Sequence, residues 1–413
     1  MTHPTPCRNC GAPLELSLVD LGTQAVSNSY VPMEKAGQSE PKFPLHAKVC
    51  TNCWLVQIDT DVPADDIFTG EYAYFSSFSS SWLAHSKAYV DRMIAEFGYG
   101  PDNLVVEIAS NDGYLLQYFV EAGVQVLGVE PSGSVAKVAH ERGVETIEEF
   151  FGEKLAKALV NEGRKPDLIC SANVLAHVPD INDFVAGLGQ LLSGDAIYTV
   201  EFPHLLRMVQ DCQFDTIYHE HYSYLSLLAV EGIFAKHGLR VFHVEELPTH
   251  GGSLRVFACQ QDASHGERAS VAKTRADEAE ARFDDASGYA DFADRAAAIR
   301  DGLLGFLKQA KADGKTVAAY GAAAKGNTML NFCGIGTNLI AYCVDRNPAK
   351  QGTLLPGSQI PVFDPEKLEI DRPDYIVILP WNLKSEIATQ LAHLSAQGTE
   401  FVTHVPKIEV FRA

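Results

Sequence analysis

The chain has 413 residues, of which 46% are hydrophobic and 21% charged, a composition suited to two or three ordinary globular domains. Its 53 acidic and 33 basic residues give a net charge of −20, which repels phosphate backbones and disfavours nucleic acid as a partner. No apolar run reaches the roughly 18 residues of a membrane span. The first residues also lack the basic and apolar regions of a secretion signal, so we expect no membrane association.

Four of the nine cysteines form two C-x-x-C pairs, Cys7 with Cys10 and Cys50 with Cys53. Two such turns complete the closed tetrahedral thiolate shell of a structural zinc site. Redox motifs or reduced surface thiols are the alternative, but neither pair lies at a strand-to-helix junction. We therefore expect structural zinc. The other five cysteines stand singly, as is usual in a reducing compartment, so we expect a cytoplasmic protein.

After the cysteine region, strands alternate with helices, which predicts a parallel sheet. Apolar spacing predicts a helix over residues 81–98. Strands are predicted at residues 103–107, 125–130, 167–172 and 196–202. Glu130 ends the second strand, 23 residues after Glu107 ends the first. This spacing is close to the ~20 residues that place a carboxylate on a ribose diol.

The turn after the first strand indicates which nucleotide this half holds. Of a G-x-G-x-x-G fingerprint it has only Gly113, and Asp112 would repel a pyrophosphate. An acidic turn suits the sulfonium and amino group of S-adenosylmethionine instead, with Glu130 on its ribose. The alternative is a Rossmann-like core without a ligand.

A second half follows. Residues 261–313 are rich in Ala and charged residues and predict long connecting helices. A further strand, a glycine turn at Gly321 and a helix then begin at Thr316, with more strands at residues 339–345, 374–380 and 400–405. Lys325 at a helix N-terminus is unfavourable unless an anion compensates, which favours a diphosphate there over an inconsequential exposed lysine.

Polar residues cluster over residues 214–224, FDTIYHEHYSY, and His177 follows the predicted strand at 167–172. Histidine removes protons near neutral pH. On a strand, His219 and His221 would point one way and Glu220 the other. H-E-x-x-H is absent, so catalytic zinc is disfavoured; satisfied structural histidines are the alternative.

Taken together, these motifs resemble the nucleotide-sugar C-methyltransferases of deoxysugar pathways almost end to end. The shared motifs lie at residues 7–53, 72–77, 106–113, 128–132, 176–179, 214–221, 250–252, 320–326, 331–336 and 380–382. The resemblance implies an α/β protein with a zinc-binding domain over 1–70 and a Rossmann-like class I methyltransferase domain over 71–255. Connecting helices and a C-terminal Rossmann-like domain would occupy 256–413.

The resemblance also implies ligands and site residues. S-adenosylmethionine would bind the central domain and a nucleotide-sugar would lie between the last two domains of a monomer or small homo-oligomer. The implied catalytic residues are Tyr72, His177, Tyr218, Glu220 and His221. The implied cofactor contacts are Glu107, Ala109, Asn111, Asp112, Gly113, Glu130 and Asn173. The implied substrate contacts are Ser76, Ser79, Lys325, Asn331 and Asn382.

Two departures stand out, His219 where family members have Asp, and Glu201-Phe-Pro-His204 where they read Glu-Asp-Pro. We expect both to lie near the sugar and to bear on which sugar is bound.

The reaction implied is removal of a proton beside a ketone, formation of an enolate and methyl transfer to carbon. We expect His221 to be the base, with Glu220 as the alternative or as its orienting partner. Tyr72, Tyr218 or His177 would donate to the enolate oxygen. A sugar O-methyltransferase and a non-catalytic nucleotide-sugar-binding protein are the competing hypotheses; a zinc-finger nucleic-acid methyltransferase is disfavoured by the charge.

Overall fold

Three main β-sheets organise the part of the chain that the structure describes, residues 5–59, 62 and 75–413 of a computed structural model. Tyr72 and the expected domain boundary after residue 70 lie outside these residues. No helix in the described ranges combines the length and the apolar character that crossing a membrane requires.

The N-terminal sheet is antiparallel and combines strands from two distant parts of the chain. The first strands along the chain are β1 (Leu16–Gln24), β2 (Val31–Pro32), β3 (Phe43–Val49) and β4 (Val56–Ile58). The sheet order is β1-β3-β4-β10, and β10 (Ser223–Tyr224) comes from the polar segment some 165 residues after β4. Strand β2 pairs instead with β15 (Thr353–Leu354) of the C-terminal half.

The central sheet has seven strands in the order β11-β12-β9-β8-β5-β6-β7, with only β12 antiparallel to its neighbours. Its strands are β5 (Leu104–Ile108), β6 (Gln125–Val129), β7 (Thr146–Ile147), β8 (Leu168–Ala172), β9 (Ile197–Pro203), β11 (Leu239–Leu247) and β12 (Ser253–Gln260). The order reverses at β5, which places a ligand crevice at the carboxyl ends of β5 and β8. The predicted central strands are therefore confirmed.

Helices alternate with these strands along the chain, as the sequence predicts. They are α1 (Ser80–Phe97), α2 (Leu116–Glu121), α3 (Gly133–Glu141), α4 (Glu153–Asn161), α5 (Ile181–Leu191), α6 (Leu205–Gln210) and α7 (Leu227–Lys236). The predicted helix over 81–98 is α1. It ends where Gly98 adopts φ 73°, a left-handed conformation that glycine takes without a steric cost.

The C-terminal sheet has six strands in the order β16-β14-β13-β17-β18-β19, of which only β19 runs antiparallel to its neighbour. They are β13 (Val317–Tyr320), β14 (Cys343–Val344), β16 (Val362–Phe363), β17 (Tyr375–Ile378), β18 (Glu400–Thr403) and β19 (Glu409–Phe411). The predicted connecting helices are α8 (Ala269–Glu280) and α9 (Phe292–Ala312). The remaining helices are α10 (Ala324–Cys333), α11 (Glu366–Asp371), α12 (Lys384–Gln390) and α13 (Ala392–Ala396). The second Rossmann-like half is therefore confirmed.

The N-terminal sheet shares its core with both other parts. Leu45 and Val56 are buried in one cluster with Leu303 of α9, whereas Cys50 is buried with Phe184 of α5. Apolar burial stabilises by about 25 cal/mol per Å². These shared cores hold the N-terminal segment against both Rossmann-like halves.

Candidate active site

The four cysteines predicted to bind zinc converge on one point. Their Sγ atoms all lie within 4.8 Å of one another, with Cys7 3.6 Å from Cys53 and Cys10 3.5 Å from Cys50. Four thiolates about 2.3 Å from a tetrahedral zinc ion lie roughly 3.8 Å apart. The donor set therefore fits a structural zinc ion. Gln57 also donates to Sγ of Cys7 across 3.1 Å, the kind of contact that orients a ligating thiolate.

The crevice at the carboxyl end of β5 begins with a tight turn. Asn111 and Gly113 both adopt positive φ, 47° and 76°. A Cβ atom on Gly113 would lie 3.2 Å from Val144 and 3.3 Å from Ala139, so glycine also permits close packing against α3. The backbone of this turn therefore adopts a left-handed conformation that glycine and asparagine tolerate better than other residues.

Glu130 directly follows β6, beside this turn. Its two oxygens accept hydrogen bonds from the backbone N–H groups of Asn111 (3.1 Å) and Ser132 (2.9 Å). Burial raises the pKa of Glu130, and these two hydrogen bonds partly offset the effect. Glu130 thus lies where a ribose-binding carboxylate is expected and also stabilises the turn.

Asp112, expected to contact the cofactor, has its partners within the protein. It is fully buried, accepts from the Ser77 hydroxyl and lies 3.3 Å from the Arg142 guanidinium. Its charge is therefore compensated within the protein, and Arg142 is a partner that the sequence pattern did not reveal. Ser76 contributes to the same junction, because its backbone N–H donates to Oδ1 of Asn111.

Two further groups, Glu107 on β5 and Asn173 directly after β8, have buried oxygens without ordinary hydrogen-bond partners among the described residues. Glu107 is fully buried and both its carboxylate oxygens lack a bond of normal geometry. Burial raises its pKa, although the adjacent Tyr114 phenol favours the charged form. The Oδ1 atom of Asn173, whose φ is 56°, is likewise buried and unpartnered. Ala109 also has a positive φ, 57°. Buried polar atoms without partners mark positions where a ligand can supply the missing bonds.

Ser79 has a structural contact instead. It caps α1, and its hydroxyl accepts from the Trp82 backbone N–H across 3.2 Å.

The polar segment forms a turn at residues 218–221, so the side-chain directions expected on a strand do not apply to it. The N–H of His221 donates to the carbonyl of Tyr218 across 2.9 Å, which closes a four-residue turn. The side chains consequently diverge in three directions. His219 reaches the Pro44 carbonyl in the N-terminal sheet, while Glu220 accepts from Asn28.

His221 has a defined tautomer. Its Nδ1 lies 2.9 Å from the Thr216 carbonyl and therefore carries the proton, since a carbonyl can only accept. In the neutral ring, Nε2 then accepts from the Tyr218 hydroxyl across 2.7 Å. Burial lowers the pKa of His221 well below its ordinary value, and the neighbouring His177 and Lys325 lower it further.

His177 lies against this ring, with centroids 4.6 Å apart in an edge-to-face arrangement. Burial lowers the pKa of His177 to about 4, with a partial offset from the Glu220 backbone. Its Nδ1 is buried without a partner among the described residues. His221 thus contacts two other expected catalytic residues, His177 and Tyr218.

Glu220 is nearly fully buried, and burial raises its pKa to about 7 in spite of the hydrogen bond from Asn28 (3.0 Å). Its Oε2 has no partner among the described residues. A carboxyl group with this pKa can exchange protons near neutral pH.

The C-terminal half supplies a cation to the same space. The Lys325 ammonium donates to Oδ1 of Asn382 across 2.9 Å and lies 4.6 Å from the Trp381 ring. Burial lowers its pKa, with a partial offset from Asp215. Asp215, which precedes the turn, accepts from the Trp381 indole across 2.8 Å and so ties the two halves together.

Asn331, like Ser79, has structural contacts. Both of its amide hydrogen bonds reach carbonyls, those of Asn327 and Pro356, so it holds a loop in place.

Of the two departures from the family pattern, His219 lies away from this space, which corrects our expectation for it. In the second, His204 also lies away, whereas Phe202 and Pro203 line a small cavity together with His221. His219 is fully buried beside Phe43 and Pro44. His204 is buried and paired with Glu278 of α8 across 2.7 Å.

Sequence reasoning missed His250, which faces the cluster. It has a φ of 55°, an unpartnered buried Nδ1 and an edge-to-face contact with Trp82 at 5.6 Å. A Cβ atom on the next residue, Gly251, would lie 2.5 Å from Trp381, so this turn requires glycine. The signal was present in the His-Gly-Gly triplet, which we used only for the family resemblance.

The N-terminal residues Asn28 and Tyr30 were also missed. Asn28 contacts Glu220, and the Tyr30 hydroxyl donates to the Ala322 carbonyl in the turn after β13. Nothing in the local sequence around residues 26–30 indicates these contacts.

Comparisons with known proteins agree with this arrangement. Family models match as a zinc binding domain over residues 7–68, a methyltransferase domain over 83–244 and a C-methyltransferase C-terminal domain over 248–406. The chain is 37% identical over 407 residues to the C-methyltransferase NovU of Streptomyces niveus, covering 98% of this chain and 97% of that protein.

Other matches are partial. A ubiquinone biosynthesis O-methyltransferase of Bartonella tribocorum is 27% identical over 141 residues, which is 32% of this chain and 55% of that protein. Among solved structures, magnesium protoporphyrin IX methyltransferase (ChlM) of Synechocystis PCC 6803 with bound SAM matches with a TM-score of 0.34 and 17% identity. That match covers 43% of this chain and 79% of ChlM.

Proposed function

We propose, because the chain belongs to the family of S-adenosylmethionine-dependent C-methyltransferases, that its substrate is a nucleotide-linked keto-deoxysugar methylated on the carbon beside the ketone. The observation that carries this proposal is the contact between His177, Tyr218 and His221, with the Lys325 ammonium facing them from the other half. Such a group can remove a proton from carbon and stabilise the negative charge that results.

The central crevice would hold the methyl donor. The cofactor supplies an electrophilic methyl group on a sulfonium ion. Glu130 would accept from its ribose hydroxyls, and Glu107 and Asn173 offer unpartnered buried oxygens nearby. Ala109, Asn111 and Gly113 would line the turn that approaches it, whereas Asp112 would act through the turn it stabilises.

The proton is removed by His221 in this proposal. The Thr216 carbonyl fixes the proton on Nδ1, which leaves Nε2 as the basic atom. The Tyr218 hydroxyl would turn from Nε2 to the ketone oxygen and donate to it as the enolate forms. The C–H electron pair would become the enolate and the proton would pass to Nε2. Bound S-adenosylmethionine would supply the methyl group, so that the new C–C bond would form while the C–S electron pair stays on sulfur.

Charge favours an anionic substrate at this junction. The pKa of His221 lies well below its ordinary value in part because Lys325 is close, and a substrate diphosphate or an enolate oxygen would reverse this effect. We propose that Lys325 and Asn382 bind such an anion. Tyr72, Ser76, Ser79 and Asn331 remain proposed contacts, and the last two also have the structural contacts described above.

Glu220 is the alternative base. Its pKa of about 7 suits the role, and its Oε2 is unpartnered. The test is hydrogen exchange at the substrate carbon in D₂O with S-adenosylhomocysteine bound. Loss of exchange in His221→Asn supports His221; loss in Glu220→Gln, with exchange kept in His221→Asn, assigns the base to Glu220.

An O-methyltransferase is the second candidate, since relatives with this activity match about a third of the chain.

Two expectations from the sequence remain predictions. One is the division into domains at residues 70 and 255, and the other is that the protein is a monomer or a small homo-oligomer.

A further inference from the structure

The first C-x-x-C turn, residues 7–10, contacts the central half through the two residues between its cysteines. The carbonyl of Arg8 accepts from Asn182 across 2.9 Å, and the carbonyl of Asn9 accepts from Asn182 (3.0 Å) and from Lys236 (2.7 Å). The turn that would hold zinc is therefore fixed onto helices α5 and α7 by hydrogen bonds to its backbone.

The Arg8 side chain extends from this turn to both histidine-bearing loops. Its Nη1 donates to the carbonyl of Pro179, two residues after His177, across 3.3 Å. Its guanidinium lies 4.8 Å from the ring centroid of Tyr222, the residue after His221. A guanidinium over an aromatic ring is attracted by the negative face of the ring.

The second C-x-x-C turn reaches the same loop by a different route. Strand β4 begins three residues after Cys53 and pairs with β10, with Gln57 opposite Ser223. The N–H of Ile58 also donates to the Tyr222 carbonyl across 3.2 Å. The two loops are joined to each other as well, because Tyr222 donates its N–H to the Ala176 carbonyl across 2.8 Å.

We propose that Arg8 is a positioning residue through which the zinc-binding turn sets the relative placement of His177 and His221. The zinc ion would hold the turn, the turn would hold Arg8, and Arg8 would hold the ends of both histidine loops. The metal would then affect chemistry at the active site without touching the substrate. The turnover part of this proposal rests on the proposed function; the positional part does not.

The variants are Arg8→Met, which keeps the length of the side chain without its charge, and Arg8→Lys, which keeps a cation without the planar fork. The matched control is Lys48→Met in β3 of the N-terminal sheet. Lys48 forms an ion pair with Asp59 across 2.9 Å, and this contact stays within the N-terminal segment. All proteins are checked for zinc by metal analysis.

The first readout needs no substrate. Histidine ring ¹H–¹⁵N signals of the full-length, zinc-loaded protein, assigned with His177→Asn and His221→Asn, report on the tautomer and hydrogen bonds of each ring. Arg8→Met should shift both sets of signals with zinc retained, Arg8→Lys should shift them less, and Lys48→Met should leave them unchanged. Unchanged signals in a zinc-loaded Arg8→Met would overturn the proposal. If Arg8→Met does not fold, the same comparison is decided by Arg8→Lys.

The second readout is turnover with the substrate that the wild type methylates. Misplacement of a reacting group by about 1 Å can lower the rate by roughly 10²-fold. We expect kcat to fall by roughly 10- to 100-fold in Arg8→Met, with S-adenosylhomocysteine affinity unchanged. If no keto sugar is methylated by the wild type, the proposed function fails while the ring signals still decide the role of Arg8. If the affinity for S-adenosylhomocysteine fell by the same factor as kcat, Arg8 would be stabilising the whole fold. That result would contradict a specific role in placing His177 and His221.

Discussion

The Tyr218 hydroxyl lies 2.7 Å from Nε2 of His221, the atom that the Thr216 carbonyl leaves without a proton. A phenol that donates a hydrogen bond to a basic nitrogen can donate it instead to a ketone oxygen once the substrate is bound. If His221 is the base, His221→Asn should lower turnover by ~10²- to 10⁴-fold, the usual contribution of a positioned base. Both ligands should still bind, as measured by calorimetry.

The exposed His393, which pairs with Glu369, provides a matched control for this substitution. His393→Asn should keep wild-type turnover. Wild-type turnover in His221→Asn would remove the residue from the chemical step.

The contribution of Glu220 to the stability of the fold should depend on pH. Its folded-state pKa is about 7, raised by burial above the ordinary 4.5, so the folded protein favours the protonated carboxyl. The stability that this group contributes is complete below about pH 4.5 and is lost as the pH rises through 7. Glu220→Gln should therefore raise the melting temperature more at pH 8.5 than at pH 5.5. The full gain corresponds to about 3 kcal/mol, at 1.36 kcal/mol per pKa unit.

The matched control for this effect is Glu145→Gln, because Glu145 is on the surface and pairs with Arg164. Its melting temperature should change little at either pH. A Glu220→Gln gain that is equal at pH 5.5 and 8.5 would mean that the carboxyl group does not titrate in this range.

The position of Glu130 leads to a prediction about the affinity for S-adenosylmethionine. Hydrogen bonds to charged groups contribute ~1.5 to 3 kcal/mol, so Glu130→Ala should weaken S-adenosylmethionine binding by ~10-fold or more in calorimetry. Glu130→Gln should weaken it less, since one amide oxygen can still accept from Asn111 or Ser132. Unchanged affinity in both variants would place the ribose elsewhere.

Replacing one cysteine of the zinc site should remove the metal and destabilise the fold together. Cys50 is fully buried in the core shared with α5, and binding energy at such sites is folding energy. Cys50→Ala should lose the metal, normally about one zinc per chain, and lower the melting temperature. Cys259→Ala, at a buried cysteine of β12 away from the cluster, should keep its zinc. Wild-type protein purified without chelator and free of zinc would contradict the assignment.

The fold could be predicted from local patterns because each signal lies within a few residues. The alternation of apolar strands and helices gave both Rossmann-like halves, and Gly98 marked the end of α1. The predicted strand at 339–345 was longer than the observed Cys343–Val344, because residues 336–340 form a turn.

The site could be predicted only in part, because several of its contacts join distant residues. Asn28 and Glu220 are 192 positions apart, and Arg142 reaches Asp112 from the far end of α3. No local pattern encodes such pairs. The directions of His219, Glu220 and His221 could not be predicted, because the backbone hydrogen bond that closes the turn at residues 218–221 forms only in the folded chain.

The central claim is methyl transfer to a carbon beside a ketone. It is tested most directly by incubating zinc-loaded protein with S-adenosylmethionine labelled with ¹³C on its methyl group and a panel of TDP-, GDP- and CDP-linked 4-keto-deoxysugars. NMR of the product then shows which atom bears the label. The account predicts a C–¹³CH₃ group on the carbon next to the ketone of one sugar. An O–¹³CH₃ product, or no transfer to any sugar by protein that binds the cofactor, would contradict it.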